Sequence, residues 1–152
     1  MFRLALSELA ELAVAGVTNY DVDALPSALR RGQLPALLVL PLDMDGIRAE
    51  RRMFGERDGF ESASFGDGAG TVIYNVTHLL LTAPLGGAVG RRDTVPYLVD
   101  LIDSYFAALA NVVTLDGLLL EPAQVRVEPG TYVYGGAEFI GCAFRHRWLL
   151  PV

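Results

Sequence analysis

The residues most capable of chemistry in this chain are its two histidines, His78 and His146, and its only cysteine, Cys142. A thiol beside an imidazole can act as a nucleophile, and imidazoles can hold a metal ion. Cys142 and His146 stand four residues apart on a predicted strand, so about 13 Å separates them, too far for a nucleophile pair. The histidines can meet across neighbouring strands, but neither strand supplies the carboxylates that would complete a metal site. We interpret both as hydrogen-bonded, half-buried histidines.

Two acidic patterns resemble binding sites but lack the neighbours that such sites need. Residues Asp43 to Gly46 (DMDG) have the spacing of the middle of a calcium loop, but Pro41 and Arg52 stand at its first and last ligand positions. Asp100 and Asp103 lie on the polar side of a predicted helix, where acidic side chains are ordinarily solvated. The sequence therefore predicts no metal ion and no cofactor.

A glycine-rich loop from Gly86 to Arg92 leads into that helix. Backbone amides at a helix N-terminus attract anions, so the loop suggests a phosphate site. However, the Lys-Ser/Thr of a P-loop is missing, and the Gly-x-Gly-x-x-Gly spacing does not occur. We interpret the loop as a connection that carries Arg91 and Arg92 to the surface. A small anion- or nucleotide-binding protein that uses this loop is the less favoured alternative.

Length and composition predict a single soluble domain. The 152 residues suffice for one core, and the formal net charge of -6 argues against nucleic acid as the main partner, because phosphate binding needs clustered positive charge. One cysteine cannot form an internal disulfide. Acidic residues enter the N-terminus before an apolar run is long enough for a signal sequence, and no apolar stretch approaches the roughly 20 residues of a membrane span. We expect an intracellular protein without a membrane partner.

The first part of the chain predicts a short helix followed by two strands. Apolar residues recur at helical spacing from Phe2 to Ala15, and Gly16 follows the predicted helix end. Val17 to Tyr20 fits a brief strand, and Ser27 to Arg31 one helical turn. Pro35 to Pro41 is apolar on both faces and too short for a typical helix, so it predicts a buried strand.

Residues Asp43 to Gly70 mix charges, glycines and isolated apolar residues without a clean period. Long structureless segments in compact domains tend to be functional or disordered. The segment is either a long hairpin ending at Gly66 to Gly70 or an arm that orders on assembly. We favour a strand near Phe60 to Phe65 preceded by a mobile arm. The residues expected to meet partners here are Arg48, Arg51, Arg52, Phe54 and Phe60.

The middle of the chain predicts a long strand and a long helix. In Thr71 to Thr82 the first half alternates and the second half is apolar, so the first half should be half-exposed and the second buried. The helix should run from about Pro96 to Val113, capped by Asp93 or Thr94. Its predicted core stripe consists of Leu98, Leu101, Ile102, Tyr105, Leu109 and Val112.

The chain closes with a predicted hairpin, in which a Gly135-Gly136 turn joins Gln124 to Tyr134 with Ala137 to Leu150. Alternation places Phe144, His146 and Trp148 on one face of the last strand and Arg145 and Arg147 on the other. We expect the first face to be core and the second to present its arginines to a partner.

Together these elements predict an α+β fold with a mixed or antiparallel sheet. One short N-terminal helix and one long helix pack on the same face of that sheet, and a β-hairpin ends the chain. Residues 1–152 form a single domain that carries the arm or long hairpin at about 43–70.

The order of the elements and several local features resemble the tail terminator family of long-tailed bacteriophages. The features are the short N-terminal helix, the turn Asp23-Ala24-Leu25-Pro26, the stretch from Arg30-Arg31 to Leu34-Pro35-Ala36-Leu37-Leu38-Val39, the long strand, the helix of about five turns, and the ending Phe144-Arg145-His146-Arg147-Trp148. The likeness covers most of the chain except the arm.

Members of that family are small α+β proteins that form a hexameric ring on the last ring of the tail tube, stop its growth and create the surface that docks the filled head. The resemblance therefore implies a structural virion protein of the tail or neck, made in the host cytoplasm, with no catalytic residues. Its partners would be further copies of the chain in a ring, expected to be a hexamer, the tail tube protein, a head–tail connector or neck protein, and DNA in transit.

Another phage neck or tail component, such as a head-completion protein or a tail-tube-like subunit, is the alternative. The residues themselves provide the expected interface or lumen positions, because the family has no fixed set of functional residues to carry over. Besides those of the arm, they are Arg91, Arg92, Arg145 and Arg147.

Overall fold

The computed structural model of the protein describes residues 1–41, 58–86 and 91–152. Within these residues the chain forms two helices, one short 3-10 turn and six strands. In chain order they are α1 (Phe2–Ala10), β1 (Thr18–Tyr20), the turn Arg31–Gln33, β2 (Ala36–Leu40), β3 (Gly59–Gly66), β4 (Ala69–Pro84), α2 (Arg91–Ala110), β5 (Gln124–Tyr134) and β6 (Ala137–Pro151).

The described strands make one mixed sheet in the order β1-β2-β4-β6-β5. β1 runs parallel to β2, and every other pair is antiparallel. β6 lies along one side of β4, while β2 and β3 share the other side, β2 pairing with Thr77 to Leu81 and β3 with Ala69 to Asn75. The predicted α+β class and the C-terminal hairpin are confirmed.

Both helices pack on one face of the sheet, as predicted, and we call this the helix face. Leu6 and Leu9 of α1 pack with Tyr74 and Trp148 from the sheet. In α2 the buried side chains Leu98, Leu101, Tyr105 and Leu109 share a second cluster with Ile140, Cys142 and Phe144. The alternation of β6 is thus confirmed, because Phe144 and Trp148 lie in these two clusters and His146 is also buried.

The opposite face, which we call the far face, is only partly open. A third apolar cluster on it contains Leu38, Leu79, Leu81 and Phe139, together with tyrosines of β5. Residues 20–34, which we call the strap, cover this cluster with Tyr20, Leu25, Leu29 and Leu34. The prediction that this side of the sheet is simply presented to a partner was therefore wrong for this half. Leu25 and Leu29 lie in a segment without a regular period, so no pattern indicated that they would be covered.

The strap is fastened to the turn of the C-terminal hairpin. The Tyr134 hydroxyl donates a hydrogen bond to the Pro26 carbonyl. At Gly135, φ is 58°, and a Cβ atom there would lie 2.6 Å from the Ser27 carbonyl oxygen. Glycine is therefore required at this position both by the backbone conformation and by the close approach of the strap.

Several predicted boundaries differ from those of the structure. α1 ends at Ala10 rather than Ala15, and the side-chain amide of Asn19 donates to the Leu9 and Leu12 carbonyls at that end. The predicted helical turn at Ser27 to Arg31 lies at Arg31–Gln33 instead. Asn19 thus satisfies backbone groups that a longer helix would have bonded.

The second helix starts earlier than predicted. α2 begins at Arg91, so neither Asp93 nor Thr94 caps it, and Pro96 lies inside it. Pro96 is the sixth residue of the helix, so it removes the hydrogen bond that an amide there would donate to the Arg92 carbonyl; the amides of the first turn have no helical partner in any case. The predicted strand near Phe60 is confirmed as β3, whereas the arm residues 42–57 lie outside the described part of the chain. No described helix is both long and apolar enough to cross a membrane.

Candidate functional site

The part of the far face beyond the strap cluster carries a row of charged side chains across three strands and the residue that precedes β3. β6 contributes Arg145 and Arg147, which pair in register with Thr77 and Asn75 of β4. We call the following six residues the charged row: Asp58, Glu61, Arg126, Glu128, Arg145 and Arg147. It contains three arginines and three carboxylates, so opposite charges are balanced within it.

Arg145 lies at the centre of the charged row and is largely covered, with a side chain only 10% exposed. Its Nε donates to Glu128 at 2.8 Å, and its Nη1 lies 3.8 Å from the buried carboxylate of Asp58. Thr77 donates to that carboxylate at 2.9 Å and lies 3.5 Å from the same Nη1. The Nη2 atom is buried and has no hydrogen-bond partner among the residues that the structure describes.

The expectation that Arg145 is exposed was therefore wrong. Its carboxylate partners come from β5 and from the residue before β3, which flank β6 and β4 on either side. Alternation within β6 predicts the face on which a side chain lies, but it carries no information about charges that distant strands bring to that face.

Arg147 is the more exposed arginine of the pair, with a side chain that is 39% exposed. Its Nε and Nη2 donate to Glu61 at 3.3 and 3.4 Å, and Asn75 donates to the same carboxylate at 3.0 Å. Hydrogen bonds from Asn75 and Arg147 lower the pKa of Glu61. Arg147 thus combines an intramolecular ion pair with access to solvent.

The remaining predicted site residues are scattered. Arg92 is exposed at the start of α2. Phe60 is 62% exposed, but it lies on the helix face, where its ring centroid is 4.9 Å from that of Phe2 and 4.8 Å from that of Tyr74. The structure therefore brings Arg145 and Arg147 together and places Phe60 on the other side of the sheet. Arg48, Arg51, Arg52, Phe54 and the side chain of Arg91 lie outside the described residues.

The sequence prediction missed an apolar surface on α2. Val95, Val99 and Phe106 are exposed, and Ile102 between them is half-buried. Their spacing of four, three and four residues places them along one line on the helix, beside the buried stripe. We call these four residues the α2 flank. Val95 and Val99, four residues apart, indicate a second apolar stripe, but the prediction assigned only one stripe to this helix.

We infer that the α2 flank faces β5, which ends the described sheet on that side. The rings of Phe106 and Phe144 meet edge to face with centroids 6.1 Å apart, and Phe144 pairs with Val127 of β5. β4 and β5 run parallel and are joined through α2, and such crossovers are almost always right-handed, which turns this flank toward β5. Val125 and Val127 remain only partly buried. On this inference, helix and strand bound an apolar groove along β5. No described strand pairs with the outer edge of β5.

The opposite side of the sheet has open edges at β1 and at β3. No described strand pairs with the outer side of β3, and apart from Gly59 all of its residues are exposed. Phe65 near the hairpin tip is 78% exposed. Exposed aromatic side chains on an open strand edge are unusual for an isolated soluble domain, because such edges tend to pair with another chain.

The side chains best suited to nucleophilic or acid–base chemistry lie in the interior. Both His78 and His146 form hydrogen bonds, so that prediction is confirmed. Both are fully buried, so the prediction that they are half-buried was wrong. Burial lowers the pKa of both histidines, that of His146 to about 3. Burial also raises the pKa of the Cys142 thiol to about 12. At neutral pH these three groups are therefore uncharged, and Cys142 is a thiol rather than a nucleophilic thiolate.

Within residues 1–41, 58–86 and 91–152, no group of three or more histidine, cysteine, aspartate or glutamate side chains is arranged to hold a metal ion. A scan against protein-family models finds no match for the chain. A search of curated proteins finds no match either.

Proposed function

We propose that this protein is a structural virion protein, the tail terminator of a long-tailed phage. In this role it forms a ring, expected to be a hexamer, on the end of the tail tube, stops the growth of the tube and provides the surface that docks the head. The proposal rests on the resemblance of the element order and on one structural observation, the open edges of β5 and β3 at opposite sides of the sheet.

Those two edges differ from one another, and this difference supports assembly into a ring. One edge carries the groove between the α2 flank and β5, and the other carries β3 with its exposed Phe60 and Phe65. When two different surfaces of the same chain bind each other, the contact is head-to-tail, and such contacts close into a ring if the rotation between subunits permits. A two-fold dimer would instead need one surface that complements itself.

The interior chemistry also favours a role for surfaces rather than catalysis. Cys142, His78 and His146 are the residues best suited to nucleophilic or acid–base work, and all three are buried and uncharged at neutral pH. A general acid or base must come within hydrogen-bond reach of its substrate. The exposed apolar side chains of α2 and β3 are, by contrast, accessible to a partner.

The charged row refines the proposed contact with DNA in transit. Arg145 is occupied by Glu128 and Asp58, so it is not available to line a channel. Arg147 and Arg92 are exposed and remain the described candidates for the lumen. Because the charged row is balanced, contacts with phosphates would be weak and sensitive to salt, which suits passage rather than binding.

The test of ring formation combines light scattering with negative-stain imaging of the purified chain, alone and mixed with tail tubes. We expect hexameric rings, or a monomer that becomes hexameric on one end of the tubes. A stable dimer without affinity for tubes would contradict the proposal. Incorporation along the whole tube, rather than at its end, would favour the alternative of a tail-tube-like subunit.

A matched pair of substitutions on α2 tests the groove as one half of the contact. Val99→Asp places a charge on the α2 flank and should weaken ring formation at least tenfold, because a buried carboxylate without a partner is costly to desolvate. Ser104→Asp places the same charge on the exposed polar side of the same helix and should leave assembly unchanged. Equal effects of the two substitutions would remove the groove from the proposed interface.

A further inference from the structure

One continuous series of hydrogen bonds joins the helices and β1 to the middle of the sheet. Trp148 Nε1 lies 3.4 Å from His146 Nδ1, and His146 Nε2 lies 2.7 Å from the Tyr105 hydroxyl. That hydroxyl lies 2.9 Å from His78 Nδ1, and His78 Nε2 lies 2.9 Å from Asn19 Oδ1. We call Asn19, His78, Tyr105, His146 and Trp148 the histidine relay.

The partners of the relay fix the position of every proton in it. The Asn19 amide nitrogen donates to the Leu9 and Leu12 carbonyls at the end of α1, both at 3.2 Å, so the Asn19 oxygen must accept from His78 Nε2. His78 Nδ1 then has no proton and accepts from the Tyr105 hydroxyl.

The same logic holds at the other end of the relay. The Trp148 indole can only donate, so His146 Nδ1 accepts and His146 Nε2 carries the proton. The Tyr105 oxygen accepts that proton while its own hydroxyl donates to His78. All bonds of the relay therefore point in one direction, and both imidazoles are neutral with the proton on Nε2.

We propose that the histidine relay is an acid-sensitive latch: a proton added to either imidazole breaks the series of bonds and releases the helical layer from the sheet. A second proton on His146 would sit on Nδ1 and face the N–H of Trp148, so two donors would oppose each other. A second proton on His78 would sit on Nδ1 and oppose the proton that the Tyr105 hydroxyl donates there, so that hydroxyl would lose its described acceptor.

Among the described residues, no hydrogen-bond partner of the imidazoles is a charged group that would stabilise a cation. The described groups that approach them are the Tyr105 phenol from α2, the other imidazole, the indole of Trp148 and the amide of Asn19 from β1. The Leu9 carbonyl of α1 and the Leu12 carbonyl beyond its end accept from the Asn19 amide. The other titratable group of this cluster is the Cys142 thiol of β6, and its pKa lies near 12, so it is protonated.

Linkage gives the pH range of the latch. Burial lowers the pKa of His78 and His146, and their mutual proximity lowers that of His78 further. In the released state each histidine regains its ordinary pKa of about 6.5. The stability that the relay contributes is therefore fully present above about pH 6.5 and is lost progressively as the pH falls, down to about pH 3 for His146.

Hydrogen exchange of the helix amides measures the release directly. With two histidines that bind protons on release, the opening equilibrium constant of α1 and α2 should rise about 60-fold between pH 6 and pH 5, and with one histidine about 8-fold. We therefore expect the opening equilibrium constant to rise about 8-fold over this pH range in His78→Gln and in His146→Gln, and to stay unchanged in the double variant. Asp103→Asn, which alters an exposed residue of α2, should retain the 60-fold change.

Two further measurements on the unaltered protein keep the latch testable if a variant fails to fold. Nitrogen chemical shifts of both imidazoles should show the proton on Nε2 and should not titrate in the native state between pH 7.5 and 5.5. A native imidazole that titrates near pH 6.5 would overturn the proposal. So would loss of protection in β4–β6 amides to the same extent as in α1 and α2, because the latch releases the helices first.

The only tryptophan of the chain is part of the relay, so its fluorescence reports on the latch. Exposure of Trp148 on acidification should coincide with binding of an apolar dye to the uncovered sheet. Dye binding that precedes any change at Trp148 would contradict the proposed order of events.

Discussion

The Arg145 guanidinium donates from Nε to the Glu128 carboxylate at 2.8 Å and thereby joins the two strands of the C-terminal hairpin on the far face. Its Nη1 reaches Asp58 on the other side, so one side chain links β5, β6 and the residue that precedes β3. The arginine that alternation assigns to an exposed face is thus a structural residue. Its neighbour Arg147 keeps the solvent exposure that a contact with another molecule requires.

Arg145→Leu should lower the free energy of unfolding by about 3 kcal/mol, because it takes the cation away from a buried carboxylate. Arg147→Leu is the matched control on the same strand and face. Its ion pair with Glu61 is partly exposed, and surface pairs of this kind contribute less than about 1 kcal/mol. Urea denaturation of both variants gives the comparison. Equal losses would mean that the burial of Arg145 has no energetic consequence.

Tyr105→Phe should destabilise the fold by about 3 kcal/mol, because it leaves a donor on His146 and an acceptor on His78 buried without partners. The stacking of this ring on Phe144, with centroids 3.6 Å apart, is retained in phenylalanine, so the loss reports on the hydroxyl. Tyr97→Phe removes a hydroxyl from an exposed position of the same helix and should change the stability by less than about 0.5 kcal/mol. A thermal or urea transition distinguishes the two.

Sequence patterns correctly predicted the features of this fold that depend on neighbouring residues in the chain. Trp148 and Phe144 were placed in the core because strand side chains alternate, and the Gly135-Gly136 turn was placed because few residues tolerate its positive φ angles. Both predictions are confirmed. The α+β class followed from the order of such elements.

Features that depend on distant parts of the chain could not be predicted in this way. Arg145 is covered because Glu128 and Asp58, 17 and 87 residues away in the sequence, converge on it in the folded sheet. Leu25 and Leu29 of the strap are covered although their segment has no period. The α2 flank was missed for a different reason, since a helix can carry two adjacent apolar stripes and only the packing decides which of them is buried.

Cys142 should not react with a thiol reagent in the native protein at pH 8. Burial raises the pKa of this thiol to about 12, so almost no thiolate exists at that pH, and the side chain is also covered by α2. We expect rapid labelling by iodoacetamide in guanidinium chloride. Under native conditions we expect labelling only through transient opening of the packing, so its rate should follow that opening. Rapid native labelling at pH 8 would contradict the packing of α2 on β6.

The two glycines of the hairpin turn separate the cost of backbone conformation from that of close approach. At Gly136, φ is 78° and a Cβ atom would meet nothing within 4 Å, so Gly136→Ala should cost only the conformational strain of about 1 to 2 kcal/mol. At Gly135, φ is 58° and a Cβ atom would lie 2.6 Å from the Ser27 carbonyl oxygen and 2.7 Å from the Ala28 Cα. Gly135→Ala should therefore cost the same strain and also displace the strap.

The excess loss of stability in Gly135→Ala over Gly136→Ala measures how firmly the strap is held on the far face. We expect this excess to exceed about 1 kcal/mol in urea denaturation, because overpacking against backbone atoms is relieved only by moving the strap. Displacement of the strap should also expose Leu25 and Leu29, so Gly135→Ala should bind an apolar dye that Gly136→Ala does not bind. If the two variants are equally stable, the strap yields without cost, and its cluster contributes little to the native state.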